Sequence, residues 1–319
     1  MSQPSQAAPQ GAPTPAPGGD RRLPVIGLWT GTLDMVPTTQ AKELAAEIEE
    51  LGFGVLWLPE VAGRDVFVHL THLLGATRTL VGATGIANIW ARDAVAMVGA
   101  AKALEEAFPR RLLLGLGVSH ANLVRDLRGH DYGRPLEAMR RYLDAMDASP
   151  YTAHRPEGPV RRVLAALGPR MLRLAAERAD GAHPYLVPPE HTAIARAELG
   201  EGPLLCPEQM VLLEDDADRA REIARGALAP YLGQPNYLRN LRRLGYSDDD
   251  VRNGGSDRLV DALVAHGDVD DVLARVQAHL DAGADHVCVQ PLPAERRGVP
   301  APQWRVLGPA LASLVASPG

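Results

Sequence analysis

The sequence predicts a (β/α)8 barrel, and three observations point to it. Short apolar runs rich in β-formers alternate with amphipathic helical stretches at a spacing of roughly 30 residues, the pattern of repeated βα units around a parallel sheet. Eight such runs can be placed in 319 residues, a length that suits one barrel. No glycine-rich dinucleotide turn follows the first run, which sets an open doubly wound sheet behind the barrel.

Residues 25–28 read as a buried strand. Thr38 or Thr39 caps a helix whose Leu44, Ala45, Ile48 and Leu51 recur at helical spacing until Gly52 ends it. Residues 55–58 form a second strand, 66–76 a helix and 80–86 a third strand. Asp93 caps the next helix, which runs to Ala107 and stops ahead of Pro109. The chain then enters Arg111-Arg-Leu-Leu-Leu-Gly-Leu-Gly117, a continuous apolar strand ending in glycine. Residues 121–134 read as an elaborated loop, and 135–148 as a helix with Leu136, Met139, Leu143 and Met146 on one face.

The fifth strand is expected at 163–167, a helix at 171–178, the sixth strand at 182–186 and a helix at 189–199. Residues 204–213 contain the seventh strand, after which Asp215 or Asp216 opens a long helix. Residues 217–267 read as an insertion of helices without a strand, broken at Gly254-Gly255, and inserted helices often shape a pocket. Residues 269–282 are helical with Gly283 as cap, 286–290 form the last strand, and a helix over 302–315 follows.

Composition excludes several classes. With 46% hydrophobic and 23% charged residues the chain has apolar surface for a large core and is not mainly disordered. No apolar run approaches the roughly 20 residues that cross a bilayer, since even residues 112–118 are interrupted by Gly115 and Gly117, so no membrane partner is expected. A formal charge of −6 argues against a nucleic-acid binder, and small molecules are the expected partners. Cys206 and Cys288 lie in separate apolar segments and suggest neither disulfides nor a thiolate metal site, which fits a reducing, cytoplasmic compartment. Residues 1–22, with Pro4, Pro9, Pro13, Pro15 and Pro17, read as a disordered tail, leaving 23–319 as a single domain.

Barrel active sites lie at the C-terminal ends of the strands, so residues just after each run are the site candidates. Ala166-Leu-Gly-Pro-Arg-Met171 is the most interpretable: glycine allows close approach, and Pro169 at the first helical position leaves free N–H groups aimed outward. Arg170, with Arg173 one turn on, would make this an anion site; an ordinary strand-to-helix turn with solvated arginines is the equal alternative. Glu60 is a candidate acid, base or acceptor, or else a surface carboxylate near Arg64. His120, at a glycine-rich strand end, is a candidate proton donor or acceptor.

Trp29, Trp57 and Trp90 fall where a flat ring could rest against them, with a core role as the alternative, expected above all for Trp57. Trp29, Trp90 and His183 are the candidate substrate pocket. His69 and His72 lack a third ligand and read as packing residues, so no metal is expected. No G-x-S-x-G elbow exists, which argues against serine hydrolysis.

These residues together resemble the luciferase-like flavin and deazaflavin oxidoreductases, in particular a bacterial branch using coenzyme F420. The resemblance runs from about Leu23 to Leu292. It is carried by Gly52-Phe-Gly-Val-Leu-Trp-Leu-Pro-Glu60, Ala83-Thr-Gly-Ile-Ala-Asn-Ile-Trp90, Leu114-Gly-Leu-Gly-Val-Ser-His120 and Leu164-Ala-Ala-Leu-Gly-Pro-Arg-Met171, and by Ala179-Asp-Gly-Ala-His-Pro-Tyr185 and Ala282-Gly-Ala-Asp-His-Val-Cys288. Each piece is weak alone; their order is specific.

The resemblance implies a barrel holding a flavin-type ring, with Thr84, Gly85 and Ile86 supporting it through a nonprolyl cis peptide at Gly85-Ile86. It also implies a phosphate contact at Gly168, Pro169, Arg170 and Met171, and a homodimer. One departure bears on substrate. Deazaflavin sugar-phosphate dehydrogenases place an acidic residue and then histidine after the second strand, whereas here Glu60 is followed by Val61; their glutamate after the fourth strand aligns with His120. The function implied is hydride transfer between F420 and a small organic substrate, with His120 or Glu60 handling the proton. The alternatives are an FMN-dependent monooxygenase and a non-catalytic flavin-binding protein.

Overall fold

The first strand, β1 (Ile26–Trp29), pairs in parallel with β2 (Val55–Leu58), setting Trp29 beside Trp57. The structure is a computed structural model that describes residues 23–293 and 298–316; the expected tail lies outside these. The remaining strands are β3 (Val81–Thr84), β4 (Ala87–Asn88), β5 (Leu112–Gly117), β6 (Arg161–Leu164), β7 (Gly181–Ala182), β8 (Leu204–Leu205), β9 (Glu208–Leu213), β10 (Val264–Gly267) and β11 (Val287–Pro291). Every pairing is parallel, in the order β10-β9-β11-β1-β2-β3-β5-β6-β7-β8, with β4 on β5.

The ring closes through the chain itself, because β8 and β9 are one bent segment. Cys206 N–H donates to Ala182 O at 2.9 Å on one side, and Cys288 N–H donates to Pro207 O at 3.0 Å on the other. The result is the predicted (β/α)8 barrel.

The helices are α1 (Thr38–Glu50), α2 (Val66–Leu74), α3 (Ala94–Ala107), α4 (Pro135–Asp147), α5 (Pro169–Arg178), α6 (Pro189–Leu199), α7 (Ala217–Leu232), α8 (Pro235–Arg243), α9 (Asp257–Leu263), α10 (Val269–Asp281) and α11 (Ala301–Ala316). Asp93 accepts from Ala96 N–H, and Asp216 from the N–H groups of Asp218 and Arg219, so both act as helix caps; such caps contribute about 1 kcal/mol each. The first helix differs from expectation: Pro37 holds the cap position without a side-chain bond, and Thr38 is already helical. A second correction concerns the insertion, which contains a strand. Residues 264–267 follow α9 directly and extend the sheet alongside β9.

Alternation along β5 separates two cores. Leu112, Leu114 and Leu116 pack toward the helices, whereas Leu113 faces inward with Val55, Trp57, Ala83, Val163, Cys206 and Cys288. Trp57 fills the barrel as a structural residue: its ring stacks on His183 with centroids 4.2 Å apart, and its Nε1 donates to His286 Nε2 at 2.9 Å. The other nitrogen of His286 donates to Pro24 O at 2.6 Å. No helix among the described residues is long and apolar enough to cross a membrane.

Candidate active site

At the C-terminal ends of the strands the barrel opens into a cavity of about 1060 Å³. Its lining comes from strand ends, from the β6–α5 turn and from the inserted helices α7 and α8. Of the candidates predicted from sequence it brings together Trp29, Glu60, Gly85, Ile86, His120, Gly168, Pro169, Arg170, Met171 and His183.

The third strand breaks at a bulge, and β5 explains why there is room for it. The Gly85–Ile86 peptide is cis, as the resemblance implies. Gly115 and Gly117 sit on the inward face of β5, where a Cβ on Gly115 would stand 2.0 Å from Thr84 O and one on Gly117 would stand 2.4 Å from Ile86 Cγ1. The two glycines therefore vacate the space the bulge occupies. Thr84 does not line the cavity. It is fully buried and donates to Gly115 O at 2.7 Å, so it anchors the bulge from behind instead of facing a ligand.

Glu60 is buried at the cavity edge. Its carboxylate accepts from Asn88 N–H at 2.9 Å and from both terminal nitrogens of Arg92, one at 2.9 Å, while Arg92 also reaches Asp65 at 2.7 Å. Burial works against the Arg92 charge, and the two carboxylates outweigh it, raising its pKa. The expected neighbour Arg64 instead donates to the carbonyls of Leu33 and Val36.

His120 follows Ser119, whose φ of 57° turns the chain at the strand end. Its ring lies 5.5 Å from that of Tyr237, and its Nδ1 is buried without a partner among the described residues. Burial lowers its pKa, opposed by the Asn236 side chain.

Gly168 is the N-cap of α5, and no side chain caps that helix. Across the turn, Arg243 brings Nη1 within 3.0 Å of the point a Cβ on Gly168 would occupy. The expected partner Arg173 does not line the cavity; it is drawn off to Glu198 at 2.9 Å. Arg170 and Arg243 are exposed and make no ion pair among the described residues. A glycine turn with two unpaired arginines fits the phosphate of a nucleotide-like cofactor, and the stretch of cavity wall at Gly85 and Ile86 fits a flat ring.

His183 forms the floor. Its Nδ1 donates to Cys206 O at 2.7 Å, which leaves the lone pair on Nε2, and burial lowers its pKa to about 4. Nε2 and the Trp29 Nε1–H are both buried without partners among the described residues, and both stand near the point a Cβ on Gly85 would occupy, at 3.4 and 2.6 Å. Trp90 is a correction: its Nε1 donates to Val118 O at 3.1 Å, and its ring lines a separate cleft near His130.

Sequence reasoning missed Tyr231, Asn236, Tyr237, Arg239 and Arg243, all from the insertion. The available signal was a stripe on α8, with Asn236, Arg239 and Arg243 at helical spacing.

Fold and cavity define a class: a parallel (β/α)8 barrel with a bulged third strand and an arginine-flanked glycine turn at the cavity on its strand ends. Residues 23–286 match the sequence profile of the luciferase-like monooxygenases, and the chain belongs to that family. A protein of Mycobacterium tuberculosis provisionally named a coenzyme F420-dependent oxidoreductase is 27% identical, spanning 83% of this chain and 94% of its own. An F420-dependent secondary alcohol dehydrogenase, solved in complex with an F420-acetone adduct, superposes with a TM-score of 0.73 at 16% identity, covering 91% of this chain and 98% of that one. The oxygenating constituent of 3,6-diketocamphane monooxygenase from Pseudomonas putida, in complex with FMN, gives 0.64 at 16% identity, covering 91% and 98%. These two structures share the fold with this chain.

Proposed function

We propose that the protein binds coenzyme F420 and transfers a hydride between it and a small organic substrate. The observation that carries this reading is the cavity itself, which joins the strand end at Gly85 and Ile86 to a glycine turn at Gly168 flanked by Arg170 and Arg243 within one continuous space. The mycobacterial relative supports F420 as the cofactor. When bound, the deazaflavin supplies hydride chemistry at its C5.

The chain's own residues supply the rest. Gly85 and Ile86 give the ring a surface to lie on, and Gly168, Pro169, Arg170, Met171 and Arg243 hold the anionic tail. A net negative protein needs such a local positive site to take up an anionic cofactor. Burial favours the uncharged form of His120, and the ring moves the coupled proton at Nε2, the nitrogen left after Nδ1 is enclosed. Glu60 has both oxygens engaged by Arg92 and Asn88, so it acts by positioning the β3–β4 bulge.

The FMN-bound neighbour favours a second reading, a flavin monooxygenase on the same scaffold. Titrating the cofactor-free protein with F420 and with FMN, followed by fluorescence, separates the two. Tighter uptake of F420 is expected; preference for FMN supports the second reading, and uptake of neither removes both.

A further inference from the structure

One wall of the cavity is built of aromatic rings in a chain that has few, since Phe, Trp and Tyr make up 4% of its residues. Trp29 and Tyr185 have centroids 5.2 Å apart, Tyr185 and Tyr231 5.4 Å, Tyr231 and Tyr237 5.5 Å edge to face, and Tyr237 meets His120 at 5.5 Å. All line the cavity.

Hydrogen bonds fix the wall as well as contact. Tyr185 O–H donates to Gln290 Oε1 at 2.9 Å, so in the 2.9 Å pair with Tyr231 it is Tyr231 that donates. Burial raises the pKa of all three tyrosines, leaving their hydroxyls neutral. A rigid, uncharged aromatic surface favours a flat conjugated ligand, because offset or edge-to-face ring pairs add attraction beyond the area they bury.

Charge adds a second constraint. Arg239 stands two residues beyond Tyr237 on α8, is exposed, lines the same cavity and makes no ion pair among the described residues. The carboxylates of the lining are already engaged, Glu60 by Arg92 and Glu137 by Arg134. The Arg239 charge is therefore left for a ligand.

The geometry points to a flat aromatic acid as the substrate, its ring against Tyr185, Tyr231 and Tyr237 and its acidic group on Arg239. This rests on the β3 bulge being the cofactor's seat, which leaves the tyrosine wall to the second reactant.

The test is calorimetric titration of the F420-loaded protein with 2-naphthoate, 2-naphthol and cyclohexanecarboxylate. Naphthoate is expected to bind at least about tenfold tighter than the other two. Tyr231→Ala, and the milder Tyr231→Leu, should weaken naphthoate about tenfold and leave F420 affinity unchanged. Arg239→Gln should bring naphthoate down to the level of naphthol without moving naphthol. Equal affinity for naphthoate and cyclohexanecarboxylate overturns the aromatic wall, as does an equal loss of F420 and naphthoate in the Tyr231 variants, which would give that wall to the cofactor. An Arg239→Gln variant that weakens naphthoate and naphthol alike, or neither, overturns the acid site. If no F420 is taken up, the cofactor reading fails separately. The same titration of the unloaded protein then decides the wall: naphthoate binding lost in Tyr231→Ala upholds it, and no binding removes it.

Discussion

Arg243 of the inserted helix α8 stands against Gly168 at the start of α5, its Nη1 3.0 Å from where a Cβ on that glycine would be. The contact joins the insertion to the barrel at the point where a cofactor phosphate is proposed to bind. Arg243 is exposed and unpaired among the described residues, so its removal should cost the fold little. Arg243→Ala is expected to weaken F420 about tenfold, or about 1.4 kcal/mol, with an unchanged melting temperature. The loss should shrink as salt rises, because exposed charges are screened. Titrations at low and high ionic strength check it, and unchanged affinity at low salt would move the phosphate elsewhere.

How much of this was legible in the sequence depends on what kind of neighbour each residue has. The bounds of α3 and α6 followed from Asp93, Pro109 and the apolar spacing, all local signals. Gly168, Arg170 and His120 were found because strand ends in a barrel converge by geometry. Arg239, Arg243, Tyr231 and Tyr237 escaped because they stand on an insertion, and no strand-end rule says where an insertion docks. Chain proximity misled in the other direction: Arg173 is one turn from Arg170 yet pairs outward with Glu198, and Trp90 follows the bulge yet turns away to Val118. The strand β10 was missed because Val264-Ala-His-Gly267 directly continues a helix with no turn to mark the change.

The two inward glycines of β5 should respond differently to a methyl group. A Cβ on Gly115 would meet backbone, the Thr84 carbonyl oxygen at 2.0 Å, whereas one on Gly117 would meet the side chain of Ile86 at 2.4 Å. Side chains can yield and a strand backbone cannot, so Gly115→Ala is expected to cost more than about 3 kcal/mol and Gly117→Ala roughly 1–3 kcal/mol. Gly117→Ala should also lose F420 affinity, because Ile86 must shift into the cavity. Urea denaturation and cofactor titration of both variants check the order; equal stability losses would mean that the bulge does not depend on β5.

Two tryptophans in the barrel interior offer a matched comparison of hydrogen bonding. Trp57 donates to His286 Nε2, whose other nitrogen is bound to Pro24, whereas the Trp29 indole N–H is buried with no partner among the described residues. Trp57→Phe leaves a buried acceptor unsatisfied in addition to the lost volume, while Trp29→Phe removes a donor that already lacked a partner. The first is expected to destabilise the protein by about 1–3 kcal/mol more than the second. Denaturant midpoints read the difference directly, and a larger loss for Trp29→Phe would show that packing against Tyr185 outweighs the hydrogen bond.

Buried titratable groups pull the stability in opposite directions with pH. Burial lowers the pKa of His183 and His286 to about 4 and that of His279 to about 3, from an ordinary 6.5. Their contribution is present above pH 6.5 and is lost as pH falls toward 4, since the unfolded chain takes up protons that the folded one refuses. Glu208 is the reverse case: burial, opposed by the Leu186 N–H, raises its pKa to about 8 from 4.5. Its contribution is complete below pH 4.5 and is lost as pH rises through 8. Burial also lowers the pKa of His69, His120 and His191 and raises that of Glu105, so between pH 4.5 and 6.5 the histidines outnumber the carboxyls and stability should rise with pH; above 6.5 Glu208 dominates and stability should fall. Glu208→Gln removes that fall, because the amide has no proton to lose, while it keeps an acceptor for the Leu186 N–H at 3.0 Å. Urea midpoints at pH 5, 6.5 and 8 should peak near 6.5 for the native chain. At pH 8 the variant should be the more stable, by an amount on the order of 1–3 kcal/mol. A variant less stable at pH 8 would show that the Glu208 carboxyl is ionised and held by a partner in the folded protein.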